Sequence, residues 1–211
     1  MRISELASLT GTSAATIKYY AREGLLPTAT RTGYNQTEYG AEHRDRLRLI
    51  RALTEVGGLS IASVREVLAA VDDPQMPAAV RMGVAQRAIP RALGEPSTEA
   101  LGRVHALTES RSWQVDPGNP GFAQAASVLD AYEMLGRGDL GASLASYAQA
   151  ADQIALADLD AVSASPAPES AAETVVVGTV LGDALIAGLR RIAQEHHARQ
   201  RFPDSTSHRS P

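Results

Sequence analysis

Ser13-Ala14-Ala15-Thr16-Ile17-Lys18-Tyr19-Tyr20-Ala21-Arg22-Glu23 is the stretch whose reading decides the fold. Ser13 suits a helix N-cap, because its oxygen can accept from a free amide of the first turn. Gly24 suits the stop, since a helix end favours a residue that tolerates positive φ. The spacing predicts a helix over about 14–23, with Ile17 and Ala21 turned inward. Upstream, Ser4 is a cap candidate, Leu6, Ala7 and Leu9 give a short apolar face, and Gly11 is a stop. Two short helices across a turn of three or four residues form a helix-turn-helix.

Downstream, Leu25-Leu26-Pro27 leaves the helical pattern. Thr28 to Tyr39 is rich in Thr and Tyr, with Gly33 and Asn35 as turn formers, and reads as a small hairpin. Residues 41–56 read as a helix with Leu47, Ile50, Leu53 and Val56 inward, broken by Gly57-Gly58. Ser60 caps another helix, whose Val64, Val67, Leu68 and Val71 share a face. Asp72-Asp73-Pro74 and Pro77 mark a boundary. Beyond it, helices are predicted at about 78–93, 97–110, 120–136, 139–162 and 170–200. The expected fold is mainly α: a winged helix-turn-helix over 1–72, a linker at 73–77, an all-α domain over 78–202, and a disordered polar tail at 203–211.

Composition narrows the function classes. There is no cysteine, which removes disulfides, thiolate metal sites and thiol redox switches. The net charge of −4 is unevenly spread. Residues 1–72 hold nine Lys/Arg against eight Asp/Glu, while the remainder holds eleven against sixteen. The N-terminus lacks the apolar core of a signal peptide, and no charge-free apolar run reaches membrane-spanning length. A cytoplasmic protein without membrane contact is expected.

On the helix at 14–23, Ala14, Ala15, Lys18, Tyr19 and Arg22 share the face opposite Ile17. Small residues in the first turn allow close approach to a groove of duplex DNA. Lys18 and Arg22 supply charge to phosphates or guanine edges, and tyrosine hydroxyls can donate to phosphate. The amide end of the helix, at Ser13 and Thr16, favours an anion. An ordinary amphipathic helix with a solvated face would show the same pattern. The hairpin beside it, with Arg31, Tyr34, Gln36, Tyr39 and nearby His43, tips the reading toward backbone contacts. Arg44, Arg46, Arg48 and Arg51 follow, and Arg48 and Arg51 can instead pair with Glu42, Asp45 and Glu55. Ser60 offers a second helix N-terminus for a phosphate.

Ile3-Ser4-Glu5-Leu6-Ala7, Thr10-Gly11-Thr12-Ser13, Thr16-Ile17-Lys18-Tyr19-Tyr20, Arg22-Glu23-Gly24-Leu25-Leu26-Pro27, Tyr39, Arg46-Leu47, Ile50-Arg51 and Leu59-Ser60-Ile61 together resemble the MerR family of bacterial regulators. The resemblance covers about residues 1–71. It implies a homodimer on double-stranded promoter DNA, each subunit setting one helix in the major groove. In such promoters the spacer between the −35 and −10 elements is typically too long. Effector binding distorts the DNA so that RNA polymerase, an indirect partner, engages both elements; some members simply repress. Position by position, the resemblance makes Lys18, Tyr19, Tyr20 and Arg22 recognition-helix contacts, and Arg31, Tyr39 and Arg46 wing and backbone contacts. Two departures stand out. Position 44 is Arg, where the family usually has an aliphatic residue. Pro74, Pro77 and Pro90 break the long dimerisation helix that many members carry next, since an interior proline costs roughly 3 kcal/mol. The expectation is therefore that 170–200, with its apolar stretch Val175 to Leu189, supplies part of a dimer contact.

The helical part can hold a small-molecule effector between helices. Trp113, Phe122, Tyr132 and Tyr147 are the candidate lining residues, and each can equally be core. His196-His197 beside Glu195 is a weak metal candidate, because adjacent helical side chains diverge by about 100°. No metal or other cofactor is expected. The sequence shows no Ser/His/Asp set, phosphate loop or paired carboxylates suited to catalysis, so an enzyme is not expected. The competing reading is a DNA-binding regulator or architectural protein whose helical part only dimerises.

Overall fold

The computed structural model describes residues 1–33, 36–89, 94–165 and 167–202. The chain runs α1 (Ile3–Thr10), α2 (Ala14–Arg22), β1 (Thr30–Gly33), β2 (Gln36–Glu38), α3 (Ala41–Arg51), α4 (Ile61–Asp72), α5 (Ala78–Ala88), α6 (Thr98–Ser110), α7 (Pro120–Met134), α8 (Leu144–Ser163) and α9 (Pro168–Arg201). The architecture is mainly α, with one two-stranded antiparallel sheet among the described residues.

Local chemistry explains most boundaries. Ser13 and Ser60 cap α2 and α4, accepting from the amides of Thr16 and Ser63 at 3.0 and 3.1 Å. Gly11, at φ 65°, closes α1 in the left-handed region. Two boundaries differ from expectation. Ser4 does not cap α1; Arg2 holds that place, and no side chain serves it. The reason lies at the N-terminus. The Met1 ammonium donates to the Tyr39 carbonyl at 2.9 Å, and the Tyr39 amide donates back to Met1 O at 3.0 Å. This pairing fixes where the first turn begins. The helix expected over 41–56 is α-helical only to Arg51, and Ala52–Val56 is wound as a π-turn.

The junction at 73–77 is a break in the chain that the core crosses. Leu6, Ile17, Leu47, Ile50, Leu53, Val64 and Val67 pack with Ala85 and Ala88 of α5 and with Val176 and Val180 of α9. Arg81 is buried, and it donates to the carbonyls of Ala70 at 2.8 Å and Asp73 at 2.9 Å, closing the end of α4. At Gly57 the contact with α9 is so close that a Cβ would strike the Val180 side chain, and it would lie 2.7 Å from the Leu53 carbonyl.

A second apolar cluster joins α6 to α7 through Ala100, Val104, Phe122, Ala126 and Leu129. Arg111 ties α8 to it, reaching Asp152 and the Ala145 carbonyl, each at 3.2 Å. Helix α9 is long and apolar enough to cross a membrane by length and composition. Its Val175, Val176 and Val180 are buried inside the protein instead.

Candidate nucleic-acid interface

Helix α2 sits on the core through Ile17, fully buried, and Tyr20, which is 9% exposed. Ala21, expected inward, is exposed. Tyr20 takes its place because Leu25 and the α3 side of the core lie toward that flank. Burial, then the nearby Glu55 carboxylate, pushes the Tyr20 phenol above its ordinary value. Tyr20 is therefore chiefly a core ring, where the resemblance suggested a recognition-helix contact. Tyr39 is likewise buried, edge-on to His43 with ring centroids 5.2 Å apart.

The outer face of α2 carries Ala15, Lys18, Tyr19 and Arg22 exposed, with Ala14 and Thr16 half-buried in the first turn. Among the described residues no carboxylate pairs with Lys18 or Arg22. The arginines behind them behave differently. Arg44 is bound by Asp45 at 2.9 Å, so its unusual side chain meets a neighbouring carboxylate rather than the core. Arg51 grips Glu55 at 2.8 Å and the Thr10 carbonyl at 2.5 Å, clamping the end of α1 to α3. Arg46, half-buried, pairs with Asp72 at the end of α4. It thus fastens two helices, where the resemblance suggested a DNA-backbone contact. Arg48 stays exposed, 3.7 Å from Asp45.

The wing is β1 paired with β2, Thr30 opposite Glu38 and Arg31 opposite Thr37, with a register shift between Arg31 and Gly33. Arg31 lies on β1; Tyr34 falls outside the described residues, and so does the Arg31 side chain. His43 fixes the wing's base. Its Nδ1 accepts from the Gly40 amide at 3.0 Å, and its Nε2 lies 3.2 Å from the Pro27 carbonyl, to which it donates. Sequence reading placed His43 beside the wing but missed this role. It also missed Arg65, which reaches from α4 to the Glu23 carboxylate at 2.5 Å and so holds the end of α2. Ser60 stands exposed at the start of α4.

The four aromatics suggested as an effector pocket are each engaged by packing or by an arginine. Phe122 is core, stacked on His105 with centroids 4.3 Å apart. Arg111 covers Trp113 from 5.6 Å. Tyr147, about half exposed, accepts from Arg190 at 2.7 Å. Tyr132 packs at the edge of the α6–α7 cluster. An open depression lies between α4 and α5, lined by Glu66, Met76, Val84 and Arg87.

A helix-turn-helix with a two-stranded wing and two supporting helices defines a winged DNA-binding domain. Residues 1–71 match the family described as MerR HTH family regulatory protein. The chain therefore carries a MerR-family helix-turn-helix domain at its N-terminus. It is similar to the mercuric resistance operon regulatory protein of Bacillus cereus, 37% identical over 71 residues, covering 34% of this chain and 53% of that protein. It is also similar to the HTH-type transcriptional regulator ZntR homolog of Haemophilus influenzae, 29% identical over 111 residues, covering 53% of this chain and 76% of that one. The match thus spans about half the length of the Bacillus relative. A crystal structure of SCO5550 from Streptomyces coelicolor A3(2), described as a transcriptional regulator, superposes with TM-score 0.69 at 34% identity. It covers 96% of this chain and 98% of its own, so the likeness extends through the helical part.

Proposed function

We propose that this regulator binds promoter DNA as a homodimer, each copy laying the first turn of α2 in the major groove while the wing touches the backbone. The observation that carries this reading is the exposed pair Lys18 and Arg22, which have no carboxylate partner among the described residues on a helix whose other face is core. Ser13, Thr16, Tyr19, Arg31, Tyr34 and Ser60 complete the proposed contact surface. Tyr20, Tyr39 and Arg46 support it from behind. RNA polymerase is engaged indirectly, through the geometry of the bound promoter. Footprinting on the gene's own promoter tests the reading. An inverted repeat protected between the −35 and −10 elements supports it, and no preference over random duplex defeats it.

The helical part, 78–202, gates this binding in response to a small molecule. Thiolate capture of a metal is excluded as the signal, because the chain has no cysteine. A second reading has its own observation: Phe122 and Tyr132 belong to the α6–α7 packing, Arg111 covers Trp113 and Arg190 engages Tyr147, which favours a helical part that only joins two copies. A metabolite panel separates the two. A compound that shifts both melting temperature and operator affinity supports gating; none doing so supports the second reading.

A further inference from the structure

The hollow between α4 and α5 has a volume of about 510 Å³, within the range of small-molecule sites. Ala69, Met76 and Val84 give it an apolar wall, and three charged side chains line it as well: Glu66, Asp73 and Arg87. None of the three forms an ion pair among the described residues. Arg87 lies back along its own helix, where a Cβ on Gly83 would come 3.3 Å from its Nη1, so the guanidinium stands beside the hollow. The Asp73 carboxylate accepts from the Gln75 amide at 2.9 Å and has room for further donors.

The charges are ordered along the hollow. Glu66 and Ala69 lie on one stripe of α4, which Asp73 continues at the C-cap, so the two carboxylates are spaced by roughly 10 Å at 1.5 Å per residue. Arg81, in the first turn of α5, reaches the carbonyls of Ala70 and Asp73 at the end of α4. The two helices therefore run antiparallel, and Arg87, further along α5, falls toward Glu66. One end of the hollow offers a carboxylate and a guanidinium, each without an ionic partner. The other end offers a carboxylate alone, and apolar surface joins them. An α-amino acid head group supplies both charges that the first end lacks. A methylene stem suits the wall, and a terminal cation suits Asp73. The two carboxylates and one guanidinium sum to −1, against +1 for a basic amino acid, and such complementarity selects among ligands.

We propose that the α4–α5 hollow binds a basic α-amino acid, with its α-carboxylate on Arg87, its α-ammonium on Glu66 and its side-chain cation on Asp73. This site rests on the reading in which a small molecule gates DNA binding, and it names that molecule's class. Helix α4 is placed to pass the signal on. It holds the end of α2 through Arg65 and Glu23, and it holds α3 through Asp72 and Arg46. Coupling of this kind is reciprocal, so operator DNA changes amino-acid affinity by the factor that the amino acid changes operator affinity.

Calorimetric titration of the full chain with L-lysine and L-arginine tests the site, against three analogues that each lack one group. L-Norleucine lacks the side-chain cation, 1,5-diaminopentane the carboxylate and 6-aminohexanoate the α-ammonium. L-Lysine or L-arginine is expected to bind, and each analogue to bind about tenfold or more weakly, having lost a hydrogen bond between charged groups. Asp73→Asn is expected to erase only the preference over norleucine, Arg87→Gln only that over diaminopentane, and Glu66→Gln only that over 6-aminohexanoate. Failure of both amino acids to bind, or binding that norleucine and diaminopentane match, overturns the site. Full discrimination with no change in operator affinity overturns the role of this ligand as the signal. A different metabolite that shifts operator affinity, where neither amino acid binds, overturns this site and leaves gating in place.

Discussion

Thr12 lies in the turn between α1 and α2 with its hydroxyl buried and without a hydrogen-bond partner among the described residues. An unpaired buried hydroxyl costs free energy that a methyl of similar shape does not. Thr12→Val is expected to stabilise the protein by about 1 kcal/mol, read by chemical denaturation. Asp130 shows the opposite case. The Ser97 hydroxyl and amide donate to it at 2.6 and 2.7 Å and hold its carboxyl below the usual range. Its folded value lies under its unfolded one, so the stabilisation is present above the unfolded range and is lost as pH falls through the folded value. Asp130→Asn is expected to melt lower than the parent at neutral pH, with the gap closing below about pH 4. On α2, Lys18→Ala and Arg22→Ala are each expected to weaken operator binding. The loss is about 1–3 kcal/mol where the side chain meets a base edge, and specificity relaxes at that base pair. Unchanged affinity in both variants, measured by titration, points to the wrong face.

At the scale of elements, what the sequence made legible followed local rules. Serine caps, glycine stops and 3.6-residue periodicity located α2, α4 and α6 within a residue or two. What it hid were contacts between distant segments. Tyr20 and Ala21 exchange roles because Leu25 and α3 decide which flank of α2 is inside, and no local period carries that. Arg46 is drawn to Asp72, and Arg65 to Glu23, across 26 and 42 residues of chain. The hairpin was readable from Gly33, Asn35 and the Thr/Tyr content, but His43 as its anchor was not, since nothing in 40–43 points to the Pro27 carbonyl. The largest hidden contact is α9 on the DNA-binding domain. Val176 is fully buried there, so Val176→Ala is expected to cost about 2 kcal/mol, from lost transfer energy plus a cavity. By the same reasoning a fragment ending at residue 75 exposes Leu53, Val64 and Val67. It should unfold more readily than the full chain, as followed by circular dichroism.

At the scale of the whole molecule, charge is divided between the ends. The face proposed to meet DNA carries Lys18 and Arg22 on a chain of net charge −4, so short-ranged attraction and weak non-specific binding are expected. Operator affinity is expected to fall steeply with salt, and removing one phosphate-contacting cation should reduce the slope of log K against log salt by about 1. The same molecule packs closely at Gly57. A methyl there does not fit between Val180 and the Leu53 carbonyl without something yielding. Leu53 belongs to the π-wound turn, and Gly58 and Ser60 follow immediately, so the seat of α9 lies against the elbow that leads into the fourth helix. Any side chain placed at Gly57 must therefore be accommodated by displacing either the last helix or the elbow that leads into α4.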